Sequence, residues 1–170
     1  MPQTPRDKFL ALYRSAHNNA VDLLRDAEIL FEKERYPRAY ALAFTALEEI
    51  SKSHLAADVF TGLIEEKEFW QIYWKHEKKI GRMAWASEDA KRYLDLLEDG
   101  RELEIEEPTF GTRNAGMYVS MIDGKVASPS DVISRDDARA ILHTVDVALR
   151  RINEVTEFWG HQIGTKGFMK

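Results

Sequence analysis

Pro37-Arg38-Ala39-Tyr40-Ala41-Leu42-Ala43-Phe44-Thr45-Ala46-Leu47-Glu48-Glu49-Ile50 is the stretch on which the fold turns. Proline is tolerated in the first turn of a helix, where its missing N–H has no partner to lose. From there Ala39, Leu42, Ala43, Ala46 and Ile50 fall on one side, and the spacing predicts a helix over about Pro37 to Phe60. Its small residues let a neighbouring helix come close. That neighbour precedes it: from Arg6 to Arg35, residues Phe9, Tyr13, Ala16, Ala20, Leu24, Ala27 and Phe31 recur three or four apart, the apolar stripe of a long amphipathic helix that Pro37 ends.

Outward from this pair, a third helix is expected from about Glu65 to Ile80, after Gly62, rich in Phe69, Trp70, Tyr73 and Trp74. A fourth runs from about Ser87 to Glu98, with Gly100 as its C-terminal stop. The stretch 101–134 then loses the helical period and contains Pro108, Gly111, Gly116, Gly124 and Pro129. Within it Asp123-Gly124 separates two short apolar runs, a two-residue hairpin signal. Ser134 reads as an N-cap with Asp136 and Asp137 in the first turn. The last helix, about Arg135 to Trp159, carries Ala138, Leu142, Val145, Leu149 and Ile152 in register. The expectation is an all-α chain: one domain over 1–170, an antiparallel bundle of four to five helices with a small β-hairpin arm inserted at about 101–134.

The chain has 170 residues, 44% of them apolar, enough for a core. Its net charge of −5 argues against binding nucleic acid over the whole surface, which needs a cationic excess, but permits a local basic patch. Without cysteine there are no disulfides, thiolate metal sites or cysteine nucleophiles. Met1 to Lys8 has no apolar core of a signal peptide, and no run of about 18 apolar residues occurs, so a cytoplasmic protein that does not enter a membrane is expected.

Three groups of side chains carry possible chemistry. On the second helix Glu49 and Arg38 lie along one edge of the apolar face, in reach of a neighbouring helix. Glu48 points away, spaced i, i+4 with Lys52 as a surface pair. His54 falls on the apolar side as a hydrogen-bonded core histidine. On the third helix His76 shares a face with Phe69, Ile72, Tyr73 and Ile80, with Lys79 at the border. A histidine so placed needs a polar partner, such as Glu49; a carboxylate-held imidazole is equally a structural feature and the arrangement that fixes a tautomer for acid–base work. Lys75, Lys78, Lys79 and Arg82 against Glu77 leave a local charge of +3 between Trp74 and Trp85, a pattern of cations and aromatics suited to single strands and equally to a core or interface. The acidic run Glu102 to Glu107 reads as a solvated edge. There is no HExxH and no Gly-rich phosphate loop, so neither metal nor cofactor is expected.

Three of these segments also carry a family likeness. Glu34-Arg35-Tyr36-Pro37-Arg38-Ala39, leading to Glu48-Glu49-Ile50-Ser51-Lys52, then His76-Glu77-Lys78-Lys79, then Arg113-Asn114-Ala115-Gly116-Met117-Tyr118-Val119, come in the order found in AbiV-type abortive infection proteins, helical members of the HEPN superfamily. The chain resembles that family from about Ala20 to Leu149, with Ser120 in place of the usual aspartate. The resemblance implies a homodimeric helical bundle acting in phage defence, with RNA or a ribosome-associated component as target and a phage-encoded protein as possible trigger. Many HEPN proteins are metal-independent ribonucleases that use an arginine followed after four to six residues by a histidine. Here Arg14 precedes His17 by two intervening residues, Arg139 precedes His143 by three and Arg135 by seven, so none fits. Three readings stay open. In a nuclease, His76 is the acid–base group, Glu49 orients it, Lys52, Lys79 or Arg113 stabilise phosphate charge, and Arg38, Lys78, Arg82 and Tyr118 contribute binding. In a non-catalytic protein the polar cluster is structural and the hairpin docks a protein partner. The third is a bundle that serves a nucleotidyltransferase.

Overall fold

Helix α1 (Asp7–Glu32) and helix α2 (Tyr36–Thr61) form the antiparallel pair that the stripes at either side of Pro37 predict. The computed structural model describes residues 7–93 and 103–159, and the side chains of all of these but 152–159. Six of the seven stripe residues of α1 are buried, and Phe31 packs edge-on against Tyr36 at 5.2 Å. Ala39, Ala43 and Ala46 are fully buried, and the absence of bulk there lets α1 lie along α2. Phe44, Leu47, Ile50 and Leu55 are fully buried as well, so α2 is enclosed on nearly all sides. Helix α8 (Arg135–Trp159) packs against both. Its Ala138, Val145 and Leu149 are in the core, and Leu142 is half-buried. Ser134 caps it reciprocally: its hydroxyl accepts the Asp137 N–H (3.1 Å), and Asp137 Oδ2 accepts the Ser134 N–H (2.7 Å).

The third predicted helix is two. Helix α3 (Glu66–Tyr73) ends at Trp74, Lys75 is extended (φ −109°, ψ 104°), and helix α4 (His76–Gly81) starts afresh. A straight helix would drive the His76 imidazole into the Phe69 stripe; the break re-aims it. Helix α5 (Ala84–Arg92) begins earlier than expected; Gly100, its predicted stop, lies outside the described residues, as do Glu102 and the side chain of Ile152. The stretch expected to be aperiodic adds two short helices, α6 (Phe110–Ala115) and α7 (Pro129–Val132). Neither is long enough to display a 3.6-residue period. Between them strands β1 (Ser120–Ile122) and β2 (Lys125–Ala127) pair with Met121 opposite Val126. Asp123 (φ 49°) and Gly124 (φ 75°) both take the left-handed conformation of a type I′ turn, as the Asp-Gly signal requires. The arm is rooted on α2: Arg38 Nη1 donates to the Met117 carbonyl at 2.9 Å, and a Cβ on Gly116 would come within 2.9 Å of the Pro37 carbonyl oxygen. No helix among the described residues is long and apolar enough to cross a membrane.

At the far end of α2, Asp58 accepts from Arg82 Nη2 (2.7 Å), tying α2 to the end of α4. His54 is buried but is not the hydrogen-bonded histidine expected: its ring stacks on Trp85 (5.8 Å, 10°) and Nε2 has no partner among the described residues. Burial, reinforced by the charges of Arg82 and His17, pushes His54 down to about 3. Burial pushes Asp58 up to about 6, against the pull of Arg82.

These two groups oppose one another in the pH dependence of stability. Asp58, raised on folding from 3.8, contributes stability that is full below that value and lost as pH rises through about 6. His54, depressed from 6.5, contributes stability that is full above 6.5 and lost as pH falls. Between about pH 4 and 6 the unfolded chain holds an extra proton at His54 and the native chain one at Asp58, so two slopes of about 1.4 kcal/mol per pH unit offset each other. Asp58→Asn removes one of them. Thermal melts across this window are expected to show Tm falling more steeply with acid in the variant than in the parent; parallel curves would contradict the assignment.

Candidate functional site

Between Ala39 and Thr61 helix α2 has only four charged residues, Glu48, Glu49, Lys52 and Asp58. Only a narrow strip of this helix, Leu42, Thr45, Glu49 and Lys52, is half-buried, so a charge placed anywhere else along its middle has to be met by neighbours. Glu48 does not point into solvent as its position opposite the apolar stripe suggests, because α4 covers that side. It is 5% exposed, and its Oε1 meets two groups from α4: His76 Nδ1, and Lys79 Nζ at 3.3 Å. The Lys79 side chain is itself only 9% exposed. Lys52 pairs with Glu49, not Glu48, and its ammonium lies 5.6 Å from the centre of the Tyr73 ring. The carboxylate on His76 is therefore Glu48, and the expectation that Glu49 holds it is corrected.

His76 opens α4 and is not in the centre of an apolar stripe; its side chain is about half exposed. One face of the ring stacks on Phe110 of α6 (4.9 Å, 21°). Phe110 is placed by Thr109, whose hydroxyl accepts the Thr112 N–H (3.1 Å) and starts α6. Arg113, one turn on, lies 5.8 Å over the other partner in that stack, the Phe110 ring, and donates to Asn114 Oδ1 (3.1 Å). Lys79, Glu48, His76, Phe110 and Arg113 thus follow one another as a continuous series of contacts. Glu49 and Lys52 sit beside it on the Tyr73 side.

The other sequence candidates lie apart. Arg38 holds the root of the arm, Arg82 is taken up by Asp58, and Tyr118 is exposed on the arm. Lys78 borders a shallow depression with Glu65 and Glu68. His143 Nε2 meets the Ala90 carbonyl (3.2 Å), joining α8 to α5, so it serves the packing of those helices. Sequence reasoning missed Glu48 and Phe110. The scarcity of charge along α2 is the signal that could have found the first; Phe110 gave none, since nothing in its segment is periodic.

On the other side of α6 lies a cavity of about 360 Å³ lined by Tyr40, Thr109 and Thr112 together with Glu104, Glu106, Glu107, Asp136 and Asp137. Glu104, Glu106 and Glu107 of the acidic run form a solvated edge, pinned by the buried Leu103 and Ile105. Burial and then the charge of Asp137 push the Tyr40 phenol up. Such a cavity repels anions. Among the described residues no three or more His, Asp or Glu side chains are placed to share a metal ion.

With a carboxylate on Nδ1, the neutral imidazole carries its proton there, and Nε2 is left as the acceptor, unbonded among the described residues. The arrangement holds one histidine in one tautomer with one nitrogen open to solvent. Glu48→Gln removes the charge facing the buried Lys79 and is expected to destabilise the fold by about 3–5 kcal/mol. Glu49→Gln breaks a less enclosed pair and is expected to cost about 1 kcal/mol or less. Urea midpoints of the two variants measure this, and equal losses would show that Glu48 is not the buried partner.

The family model described as AbiV matches residues 8–150, which takes in α1, α2, the Glu48–His76 site and most of α8. No curated protein matches the chain, and no solved structure does. The order of helices, the hairpin before the last of them and this match together place the chain: it belongs to the AbiV family of HEPN proteins.

Proposed function

We propose that this protein is an abortive-infection effector that acts on RNA as a homodimer, with His76 as its acid–base group. The observation that carries the reading is the buried Glu48 carboxylate on Nδ1 of a half-exposed imidazole. Family membership supplies the setting of phage defence. The HEPN arginine–histidine spacing is absent, so the chemistry here rests on a carboxylate–histidine pair.

In this reading Nε2 of neutral His76 takes the proton of a ribose 2′-hydroxyl, and the 2′-oxygen attacks the adjacent phosphorus. The bond from phosphorus to the 5′-oxygen breaks, the leaving oxygen takes a proton from water, and the His76 imidazolium gives its proton to the hydroxide left behind. The products are a 2′,3′-cyclic phosphate and a 5′-hydroxyl. Glu48 stabilises the imidazolium as it forms, and Lys79 balances the charge of the buried carboxylate. Arg113, over the Phe110 ring, supplies positive charge to the phosphate, and Lys52 would do so only by leaving Glu49.

A second reading has its own observation. Tyr118, Val119, Met121, Ile122 and Val126 are all exposed on the arm, an apolar surface suited to a protein partner, whether a second copy or a trigger. A non-catalytic binding protein would use that surface and keep Glu48–His76 as a structural pair.

Purified wild type and His76→Ala, incubated with cellular RNA, separate the two. The first reading predicts cleavage with cyclic phosphate ends by wild type and a rate roughly 10²–10⁴-fold lower in His76→Ala, with unchanged circular dichroism. Cleavage at an equal rate removes His76 from the mechanism, and intact RNA with both proteins favours the binding protein.

A further inference from the structure

The break between α3 and α4 leaves a ladder of rings with one end in the core and the other in solvent. Phe69 is fully buried and packs edge-on against Phe9 (5.0 Å). Trp70 and Tyr73 stand against Phe69, and Trp74 packs against both. The two tryptophans lie nearly parallel, 19° apart with ring centres 6.1 Å from one another. Trp74 is 71% exposed and Trp70 43%. Trp70 Nε1 donates to Glu66 Oε1 (3.1 Å), which also accepts from Lys8 (2.6 Å). The rings are therefore fixed in orientation by packing and hydrogen bonding while a large aromatic face is left open to water. Large exposed aromatic surface on a fixed support marks a contact site.

The charge beside it is selective. Of the basic run, Lys79 is taken up by Glu48 and Arg82 by Asp58, while Trp85 is stacked on His54. That leaves Trp74, Lys75 and Lys78: the two lysines are exposed and make no ion pair among the described residues. Lys75 follows Trp74 directly, and His76 comes next. Glu68 lies about 160° around that helix from Trp70, and Lys78 borders the depression on that side with Glu65 and Glu68, so Lys75 is the cation left beside the shelf.

We propose that the Trp70–Trp74 shelf is a stacking subsite for a base of single-stranded RNA, adjoining the phosphate handled at His76, with Lys75 on a flanking phosphate. The proposal rests on the RNA reading above and adds to it the form of the substrate. A base offers its face to a side chain only when it is not stacked on its neighbours, so the shelf selects unpaired strands or loops over duplex. Stacking is tolerant of base identity, so the subsite sets strandedness and position and leaves sequence unread.

The test is fluorescence anisotropy with a fluorescein-labelled 2′-O-methyl oligouridylate of about ten nucleotides, which cannot form the 2′-oxyanion, and an abasic strand of equal length. Trp74→Ala is expected to weaken binding of the oligouridylate roughly tenfold and Trp74→Phe to recover most of the loss. The abasic strand is expected to bind wild type and Trp74→Ala alike. Oligouridylate binding by Trp74→Ala within roughly twofold of wild type overturns the proposal, as does no binding by wild type. So does a loss that is equal for the abasic strand and accompanied by a fall in mass by light scattering, which makes the shelf an interface between copies. Failure of the shelf is distinguishable from failure of the nuclease reading: Trp74-dependent binding without RNA cleavage removes the second alone, and His76-dependent cleavage with Trp74-independent binding removes the first alone.

Discussion

A carboxylate on a covered side of an enclosed helix must be met by a cation and a hydrogen-bond donor, and the placement of Glu48 imposes that condition on everything around it. Helix α2 is enclosed by α1, by α8 and by the short helices, so no rotamer takes Glu48 to bulk water at small cost. Lys79 and His76 both reach it from α4, and they do so because the chain breaks at Lys75. The imidazole stays half exposed, and Trp74, at the end of α3 and well around that helix from Phe69, stands clear of the core. Phe110 then closes over the free face of the ring. One buried charge thus ties α2 to the helix that follows the break, orients a histidine and, through its ring, meets Phe110 of α6.

What was legible in the sequence is what local physics decides. The stripe of α1, the proline at the start of α2, the cap at Ser134 and the Asp123-Gly124 turn each depend on residues a few positions apart, and each is found where the spacing puts it. The break at Lys75 does not depend on such signals. No proline or glycine between Glu65 and Ile80 marks an interruption, and the partner that His76 meets beyond the break is on α2, 28 positions away in sequence. Helices α6 and α7 escaped for a different reason, their length. For the site, His76 and Lys79 stood out by residue type, but the choice between Glu48 and Glu49 turned on which side of α2 is covered. A helical wheel assigns one apolar face and calls the opposite one solvent; on α2 the Glu48 side is covered by α4, and the strip nearest solvent is that of Glu49 and Lys52.

Charge is sorted by α6. On its Thr109–Thr112 side five carboxylates gather around Tyr40, and on its Phe110–Arg113 side lie His76 and the cations of α2 and α4. A chain with net charge −5 offers an anion few approaches, and the acidic cavity is not one of them. The basic stretch around residues 75–82 also does less than its composition suggests, since Lys79 and Arg82 are committed to buried carboxylates. Of the basic stretch itself, what remains for a ligand is Lys75 beside Trp74 and His76, and Lys78.

The account stands on the orientation of one imidazole. A long-range ¹H–¹⁵N spectrum of the histidine rings, recorded at a pH where they are neutral, reads the tautomer of each directly. With Glu48 on Nδ1, His76 is expected in the Nδ1–H form, with Nε2 as the unprotonated nitrogen, and this preference is expected to fade in Glu48→Gln. An Nε2–H tautomer in the wild-type chain would contradict the account, because the nitrogen assigned to proton transfer would then be occupied.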